Sequence, residues 1–290
     1  MPKRLPVLAM AVLLSFSLNA FSQEQKLNGC SDGEGTGSRE LRDGYRLVVG
    51  PAADSCRDGN DFTCKATVLA SDGRTIATMC DHAAMVEWVT EVDMEGDGKL
   101  EIVVETYSGG AHCCPTYWVV TRGNKGGILA ELFNQTSARF DSRPGGAEVF
   151  TRDGAFDYFE FSHADNVMPD MFLRLKDGVW IDTSREHVRH YDEQILEARK
   201  KLTKRRIARL RAVRVKDSML EDDLIDIRRA ALTVVLAYLY SGRERQAWEA
   251  LQGYWPAWDY SRIKADIERT RRSGLTAMLG TNDGMKKGDD

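Results

Sequence analysis

Apolar and polar residues alternate along most of the chain from Gly44 to Ile181. Short runs such as YRLVV, CKATVLA, TIATM and TYWVV are rich in β-branched and aromatic residues and are separated by turn residues, including Asp153-Gly154 and Asp177-Gly178. Apolar residues at every second position, in short runs separated by turns, are typical of strands joined as hairpins. Because no helix-length segments separate these runs, they predict antiparallel sheet. Residues 23–182 are therefore predicted to form a β domain, either a sandwich or a few propeller-like blades, since about 160 residues are too few for a full propeller.

The pattern changes to a helical period after Asp182. Thr183, Ser184 and Glu186 are suited to cap a helix, and residues 187–216 contain neither Gly nor Pro. We expect one long amphipathic helix here, or two helices broken near Thr203. Residues 227–256 predict a helical hairpin, and residues 262–279 predict a third helix. The expected fold class is α+β, with an antiparallel β domain followed by a C-terminal α-helical domain over 183–280 and a disordered polar tail over 281–290.

The N-terminus has the pattern of a secretory signal peptide. Lys3 and Arg4 precede an apolar run that ends at Phe21, so residues 1–22 are predicted to be removed. The run is short for a membrane span, and no second run of about 18 apolar residues follows. We therefore expect an exported protein, periplasmic or secreted, that is not transmembrane. Leu27-Asn-Gly-Cys30 resembles a lipobox, but it lies well past the apolar segment, so lipidation of Cys30 is the less favoured alternative.

The formal net charge argues against nucleic acid as a partner. The charge is −4 for the whole chain, and loss of Lys3 and Arg4 with the signal peptide makes it −6 (−4 − 2). Such a chain has no bulk attraction for a polyanionic nucleic acid.

A ladder of acidic residues stands between two strand-like segments. Asp93, Glu95, Asp97 and Glu101 alternate around Gly98, and a tight loop would turn these side chains inward. With the Lys99 carbonyl they offer the oxygen ligands that Ca²⁺ requires. Val104 occupies the position where an EF-hand needs Glu, so we predict a structural calcium site of the strand-loop-strand type. The alternative is a plain turn carrying solvated acids.

This stretch resembles a known family. The sequence from Asp93 to Gly98, followed by a strand and then by Tyr107 to Cys114, is similar to the FG-GAP/VCBS-type repeats of exported bacterial proteins, and to a group among them carrying GDG…SGGAHCC. The resemblance implies antiparallel, often propeller-like β structure with calcium in the inter-strand loop. It covers roughly thirty residues. This sequence departs from the family at Glu95, where such loops usually carry Asn or Asp.

The cysteines predict disulfides in the N-terminal part. In an exported chain, six cysteines are most simply a disulfide set, and the sequence does not choose among 15 pairings. Cys56 with Cys64 is the best local guess, and adjacent Cys113 and Cys114 should point to opposite faces and have different partners. The remaining candidates are Cys30 and Cys80. The alternative is a zinc, copper or redox site in which His82 and His112 join Cys80, Cys113 and Cys114.

The C-terminal half offers weaker candidates. Residues 199–216 contain ten Lys or Arg, which could bind an envelope protein or an anionic envelope polymer. The favoured interpretation is that they pair with the acidic residues that follow. His187 and His190 could share a metal but are more often incidental. An aromatic cluster is expected to be core rather than a carbohydrate platform; it consists of Trp248, Tyr254, Trp255, Trp258 and Tyr260.

Motifs of common enzymes are missing from the sequence. It contains no G-x-S-x-G, H-E-x-x-H or P-loop motif. We therefore expect an exported, non-enzymatic calcium-binding protein whose helical region contacts another envelope component, with the transition-metal or redox protein as the alternative.

Overall fold

Three antiparallel sheets are followed by a set of helices, which confirms the α+β prediction. The computed structural model describes residues 28–52, 56, 61–110, 113–214 and 222–279, apart from the side chains of Cys113 and Met278. The predicted signal peptide and the predicted disordered tail lie outside these residues. The last strand ends at Asp182, and helices follow it.

Each sheet contains four consecutive strands, each paired with the next, which is also the strand order of a propeller blade. Sheet I consists of β2 (Gly37–Glu40), β3 (Arg46–Pro51), β4 (Cys64–Leu69) and β5 (Thr75–Asp81). Sheet II consists of β6 (Ala83–Val92), β7 (Glu101–Gly110), β8 (Cys113–Val120) and β9 (Ile128–Phe133), with β1 (Gly29–Ser31) added beside β6. Sheet III consists of β10 (Arg139–Asp141), β11 (Glu148–Arg152), β12 (Asp170–Lys176) and β13 (Val179–Asp182).

Sheet II lies between two hydrophobic cores. On β7, Ile102 and Val104 pack with the residues of sheet I, whereas Val103 packs with sheet III and the helices. Successive side chains of a strand point to opposite faces, so a strand buried on both faces has an unbroken apolar run. The sequences of β7 and β8 contain such runs for this reason.

The helical part surrounds one buried helix. The helices are α1 (Val188–Lys200), α2 (Lys204–Ala212), α3 (Asp222–Tyr240), α4 (Glu244–Tyr254), α5 (Tyr260–Ser273) and α6 (Leu275–Met278). Over most of its length α3 is apolar all round, as expected of a helix enclosed by others. Of the two alternatives for residues 187–216, the pair of helices broken near Thr203 is the one observed, because the Thr203 hydroxyl accepts a hydrogen bond from the Arg206 amide and caps α2.

Two boundaries differ from the sequence prediction. Ser184–Glu186 forms only a 3-10 turn, and α1 begins at Val188, because the Ser184 hydroxyl accepts a hydrogen bond from the Phe172 amide instead of capping a helix. The strand expected after Asp153-Gly154 is also wrong. Tyr158 and Glu160 adopt positive φ angles there, which a strand does not allow.

The cysteine pairing corrects the guess that joined Cys56 to Cys64. The disulfides are Cys30–Cys64 and Cys56–Cys80. Lys65 of β4 lies directly opposite Cys80 of β5, so these two side chains share one face of sheet I. Cys64 precedes Lys65 on the strand and therefore points to the other face, which is why Cys64 and Cys80 have different partners. Cys114 is also disulfide-bonded. The prediction of separate partners for Cys113 and Cys114 involves the Cys113 side chain, which lies outside the described part.

Two further observations bear on the compartment. The disulfides fit a protein of an oxidising compartment. Among the helices that the structure describes, none combines the length and the apolar character needed to cross a membrane.

Candidate metal centre

The acidic ladder forms the loop between β6 and β7, as the sequence predicted. β6 ends at Val92 and β7 begins at Glu101, so the loop joins two neighbouring antiparallel strands of sheet II. Gly96 and Gly98 have φ angles of 77° and 84°, which residues with a Cβ rarely adopt. These two glycines allow the chain to reverse within eight residues, from Asp93 to Leu100.

Two aspartates hold the loop through hydrogen bonds to its own backbone. The Asp93 carboxylate accepts hydrogen bonds from the amides of Gly96 (2.6 Å) and Gly98 (2.9 Å). The Asp97 carboxylate accepts one from the Lys99 amide (2.9 Å) and also binds the Lys99 ammonium group. The contact with the Lys99 side chain lowers the pKa of Asp97. Both side chains thus take part in the hydrogen bonding of the turn itself.

Glu101 is the buried member of the set. Its side chain accepts a hydrogen bond from the Met94 amide at 2.8 Å, and the residue is 5% exposed. Burial raises the pKa of Glu101, and the negative charges of Asp97 and Asp93 raise it further. Asp93 and Asp97 therefore lie close enough to Glu101 for their charges to act on it, at the start of β7.

Glu95 is directed away from the other acids. Its carboxylate accepts a hydrogen bond from the Gly178 amide at 3.1 Å, in the turn between β12 and β13. The Ala147 amide donates to the Asp93 carbonyl at 2.7 Å, and a Cβ on Gly96 would lie 2.3 Å from the Gly145 carbonyl carbon. The loop is thus packed against sheet III, a contact that the sequence did not reveal.

The loop is not a ready-made cation cage. Within the described part of the chain, no three His, Cys, Asp or Glu side chains are arranged to hold a metal ion. The Asp93, Asp97 and Glu101 carboxylates lie near one another, but each is engaged by amide groups or by Lys99. A hard cation would have to replace some of these hydrogen bonds by turning the side chains inward.

The residues of the alternative metal site are not assembled in the described structure. The His82 ring packs edge-on against Phe62, with 5.9 Å between ring centroids. Cys80 and Cys114 are disulfide-bonded, and a disulfide sulfur is not a thiolate ligand. His112 and the Cys113 side chain lie outside the described part.

His187 and His190 bind separate carboxylates instead of a shared metal. His187 contacts Glu148 at 2.8 Å, and His190 contacts Asp170 at 2.8 Å. These acids belong to two similar segments, Glu148–Arg152 and Asp170–Arg174, each with the pattern acid-x-Phe-x-Arg. Pairing β11 with β12 places the acid of each segment opposite the Arg of the other. This repeat was the sequence signal for the cluster, and it was missed.

The basic segment pairs with the acidic segment, as favoured from the sequence. Lys201 binds Asp226 at 2.7 Å, and Arg206 binds both Asp223 (2.7 Å) and Asp226 (2.9 Å). Of the aromatic cluster, Trp255 is buried and Trp258 is 45% exposed. Trp255 is therefore core, as expected, whereas Trp258 lies largely at the surface.

Comparison with known proteins adds little to this geometry. No protein-family model matches the chain, and no curated protein matches it. A solved structure described as "Structure of a Xanthomonas Type IV Secretion System related protein" is 14% identical over 53% of this chain and 98% of that chain, with a TM-score of 0.24. A TM-score this low supports no inference about fold or function. The resemblance to FG-GAP/VCBS-type repeats stays a prediction.

Proposed function

We propose that this is an exported, non-enzymatic calcium-binding protein, periplasmic or secreted, in which Ca²⁺ orders the Asp93–Glu101 loop. The observation that carries the proposal is that Asp93, Asp97 and Glu101 belong to one glycine-containing loop, which packs against sheet III, and that the charges of Asp93 and Asp97 act on Glu101. Burial is the main reason why the pKa of Glu101 is raised, and a bound divalent cation would favour the ionised form and offset the added repulsion from Asp97 and Asp93. The role of calcium is structural, since the loop contacts two sheets.

The ligand set follows from the position of each residue. Asp93, Asp97 and Glu101 would supply carboxylate oxygens, and the Lys99 carbonyl a backbone oxygen, toward the six to eight oxygens that Ca²⁺ takes. The Lys99 ammonium group competes with the cation for Asp97. Glu95 can join only by leaving the Gly178 amide. With three carboxylates and a competing lysine, we expect a Kd of about 0.1–1 mM, the range of extracellular calcium modules.

A calcium titration of the metal-stripped mature protein, by calorimetry and thermal melting, tests the proposal. The wild type should bind one ion and be stabilised by about 1.4 kcal/mol at about ten times Kd. Asp97→Ala should lose both effects. Asp72→Ala is the matched control, because Asp72 accepts the Arg74 amide at 2.9 Å and pairs with the Arg74 side chain as Asp97 does with Lys99. That variant should bind calcium normally.

A second variant separates a metal site from an acidic turn. Lys99→Gln keeps the backbone carbonyl but removes the competing ammonium group, so calcium should bind roughly two- to fivefold more tightly. If the wild type and Lys99→Gln both show neither heat nor stabilisation at about 10 mM calcium, the loop is only a turn and the proposal is wrong.

The helical region would provide the contact with another envelope component. Lys204, Arg205 and Arg211 are exposed on α2, and none of them forms an ion pair with a residue that the structure describes. These three charges are suited to an anionic envelope polymer or an acidic protein surface. Retention on an immobilised polyanion should fall when all three are changed to Gln, and unchanged retention would contradict this assignment.

A further inference from the structure

A cleft separate from the calcium loop lies at one end of the central strands β11 and β12 of sheet III. It consists of two adjoining cavities, of about 680 Å³ and about 630 Å³, which share Arg152 and Met168. The first lies between α1, α3 and the segment before β12; the second lies between β10, β11 and the segment 135–138. Each volume is within the range of small-molecule sites.

Arg152 stands at the junction of the two cavities with unused hydrogen-bonding capacity. Its Nε atom donates a long hydrogen bond (3.4 Å) to Asp170, and its two terminal nitrogens make no hydrogen bond to any residue in the described structure. A guanidinium whose two terminal nitrogens have no hydrogen-bond partner can bind an oxyanion in bidentate fashion. The side chain is 56% exposed, so a ligand can reach it.

The pairing of β10 with β11 adds a second arginine. Arg139 pairs with Phe150, and Arg152 lies two residues farther along β11 on the same face, so Arg139 and Arg152 are diagonal neighbours across the two strands. The Arg139 guanidinium lies over the Phe150 ring, 5.1 Å from its centroid, while Asp141 holds its Nε and Nη2 atoms. Among the described residues that line this second cavity there is no Asp or Glu.

The walls of the cleft are suited to hydroxyl groups. The two cavities differ in charge: the first is lined by four acids, Asp170, Glu193, Glu197 and Asp226, beside three basic residues, whereas the second has two arginines and no acid among its described lining residues. Uncharged polar side chains occur in both cavities, and Met168 is an apolar residue that both share. The uncharged polar residues of the cleft include Gln135, Ser137, Asn166 and Gln194. Amide and hydroxyl side chains both donate and accept hydrogen bonds, as a polyol requires.

From this geometry we propose that the cleft binds a small anionic polyol, a sugar phosphate or a sugar acid. Its phosphate or carboxylate would bind Arg152 from the second cavity, away from the acids of the first, and its hydroxyls would contact the uncharged polar side chains. A carboxylate and a phosphate each offer two oxygens that can accept parallel hydrogen bonds from one guanidinium. The site is independent of the calcium loop, which lies at the opposite ends of β11 and β12.

The test is a calorimetric titration of the mature protein with glucose 6-phosphate, glucuronate and, as the uncharged comparison, glucose. At least one anion should bind saturably below about 10 mM and glucose should not. Arg152→Gln should weaken the binding at least about tenfold, because a charge-assisted bidentate contact is lost. The anion that binds with the lower Kd shows whether the site prefers a phosphate or a carboxylate.

Arg174→Gln is the matched control. Arg174 pairs with Glu148 across the strands at 3.3 Å, as Arg152 pairs with Asp170, but Arg174 lines neither cavity. It should bind the anion within about twofold of wild type, as should Asp97→Ala, whose defect concerns calcium alone. The proposal is overturned if neither anion binds, if glucose binds equally well, or if Arg174→Gln and Arg152→Gln lose the same affinity.

Discussion

Glu95 shows how a single longer side chain changes the expected role of a loop position. The sequence places it among the ligands, yet its carboxylate reaches the Gly178 amide of sheet III. A shorter Asp at this position would reach less far toward that turn. At the residue scale the acids of the loop therefore differ in role: Asp93, Asp97 and Glu101 accept hydrogen bonds from amides of the loop itself, and Glu95 links the loop to sheet III.

Replacing Glu95 with Gln tests this division. Gln keeps the oxygen that accepts the Gly178 amide but removes the charge, so the metal-free protein should melt within about 1 °C of wild type. If Glu95 is only a link, the calcium Kd should also change by less than about twofold. Thermal melting and calorimetry of the two proteins are the measurements. A loss of calcium affinity of about tenfold would instead make Glu95 a ligand.

Elements were predictable where local chemistry decides them. The Asp177-Gly178 hairpin is confirmed: Lys176 pairs with Val179, and both turn residues have positive φ angles, as a two-residue type I′ turn requires. The helix break at Thr203, one of the two alternatives from the sequence, is observed for a similar reason, since a hydroxyl caps the following turn.

Elements were not predictable where distant residues decide them. The segment after Asp153 has the alternation of a strand, but Glu160 is bound by Arg228 and Arg262, which lie 68 and 102 residues away in the chain. The candidate site shows the same limit. Its acidic positions follow from spacing, whereas its packing against Gly145 and Gly178 depends on a turn that the sequence does not connect to it.

The cap of α2 can be tested as an element-scale prediction. Thr203→Ala removes the hydroxyl that accepts the Arg206 amide, and Thr203 is exposed, so little else changes. We expect a loss of about 1 kcal/mol in the free energy of unfolding, measured by urea denaturation. Thr203→Ser retains the hydroxyl and should lose only a few tenths of that. Equal losses in both variants would mean that the cap contributes nothing.

At the scale of the whole molecule, Asp153 connects the β part to the helices. It follows β11, is fully buried, and accepts hydrogen bonds from the Tyr240 hydroxyl (2.5 Å) at the end of α3 and from the Leu275 amide (3.1 Å) at the start of α6. A Cβ on Gly274 would lie 2.4 Å from the Asp153 carboxylate, so only Gly fits beside it. One carboxylate thus joins three segments far apart in the sequence.

The Asp153 carboxyl also makes stability depend on pH. Burial raises the pKa of Asp153 above its usual value of 3.8, although the hydrogen bonds from Tyr240, Leu275 and Ala155 oppose the shift. The folded state therefore holds this proton more tightly than the unfolded state. The resulting stabilisation is complete below about pH 3.8 and is lost as the pH rises through the higher pKa of the folded protein.

Two substitutions separate the hydrogen bonds of Asp153 from its charge. In Asp153→Asn, the amide oxygen can still accept the Ala155 and Leu275 amides, and the NH₂ group can donate to the Tyr240 hydroxyl. We expect this variant to be as stable as wild type or more so near pH 7, and its advantage should shrink as the pH is lowered toward about 4. Asp153→Ala leaves three buried donors without their acceptor and should lose about 3 kcal/mol. The measurement is urea denaturation of the three proteins between about pH 4 and about pH 8. If the free energies of unfolding of Asp153→Asn and wild type differ by a constant amount across that range, protonation of Asp153 does not contribute to the pH dependence of stability.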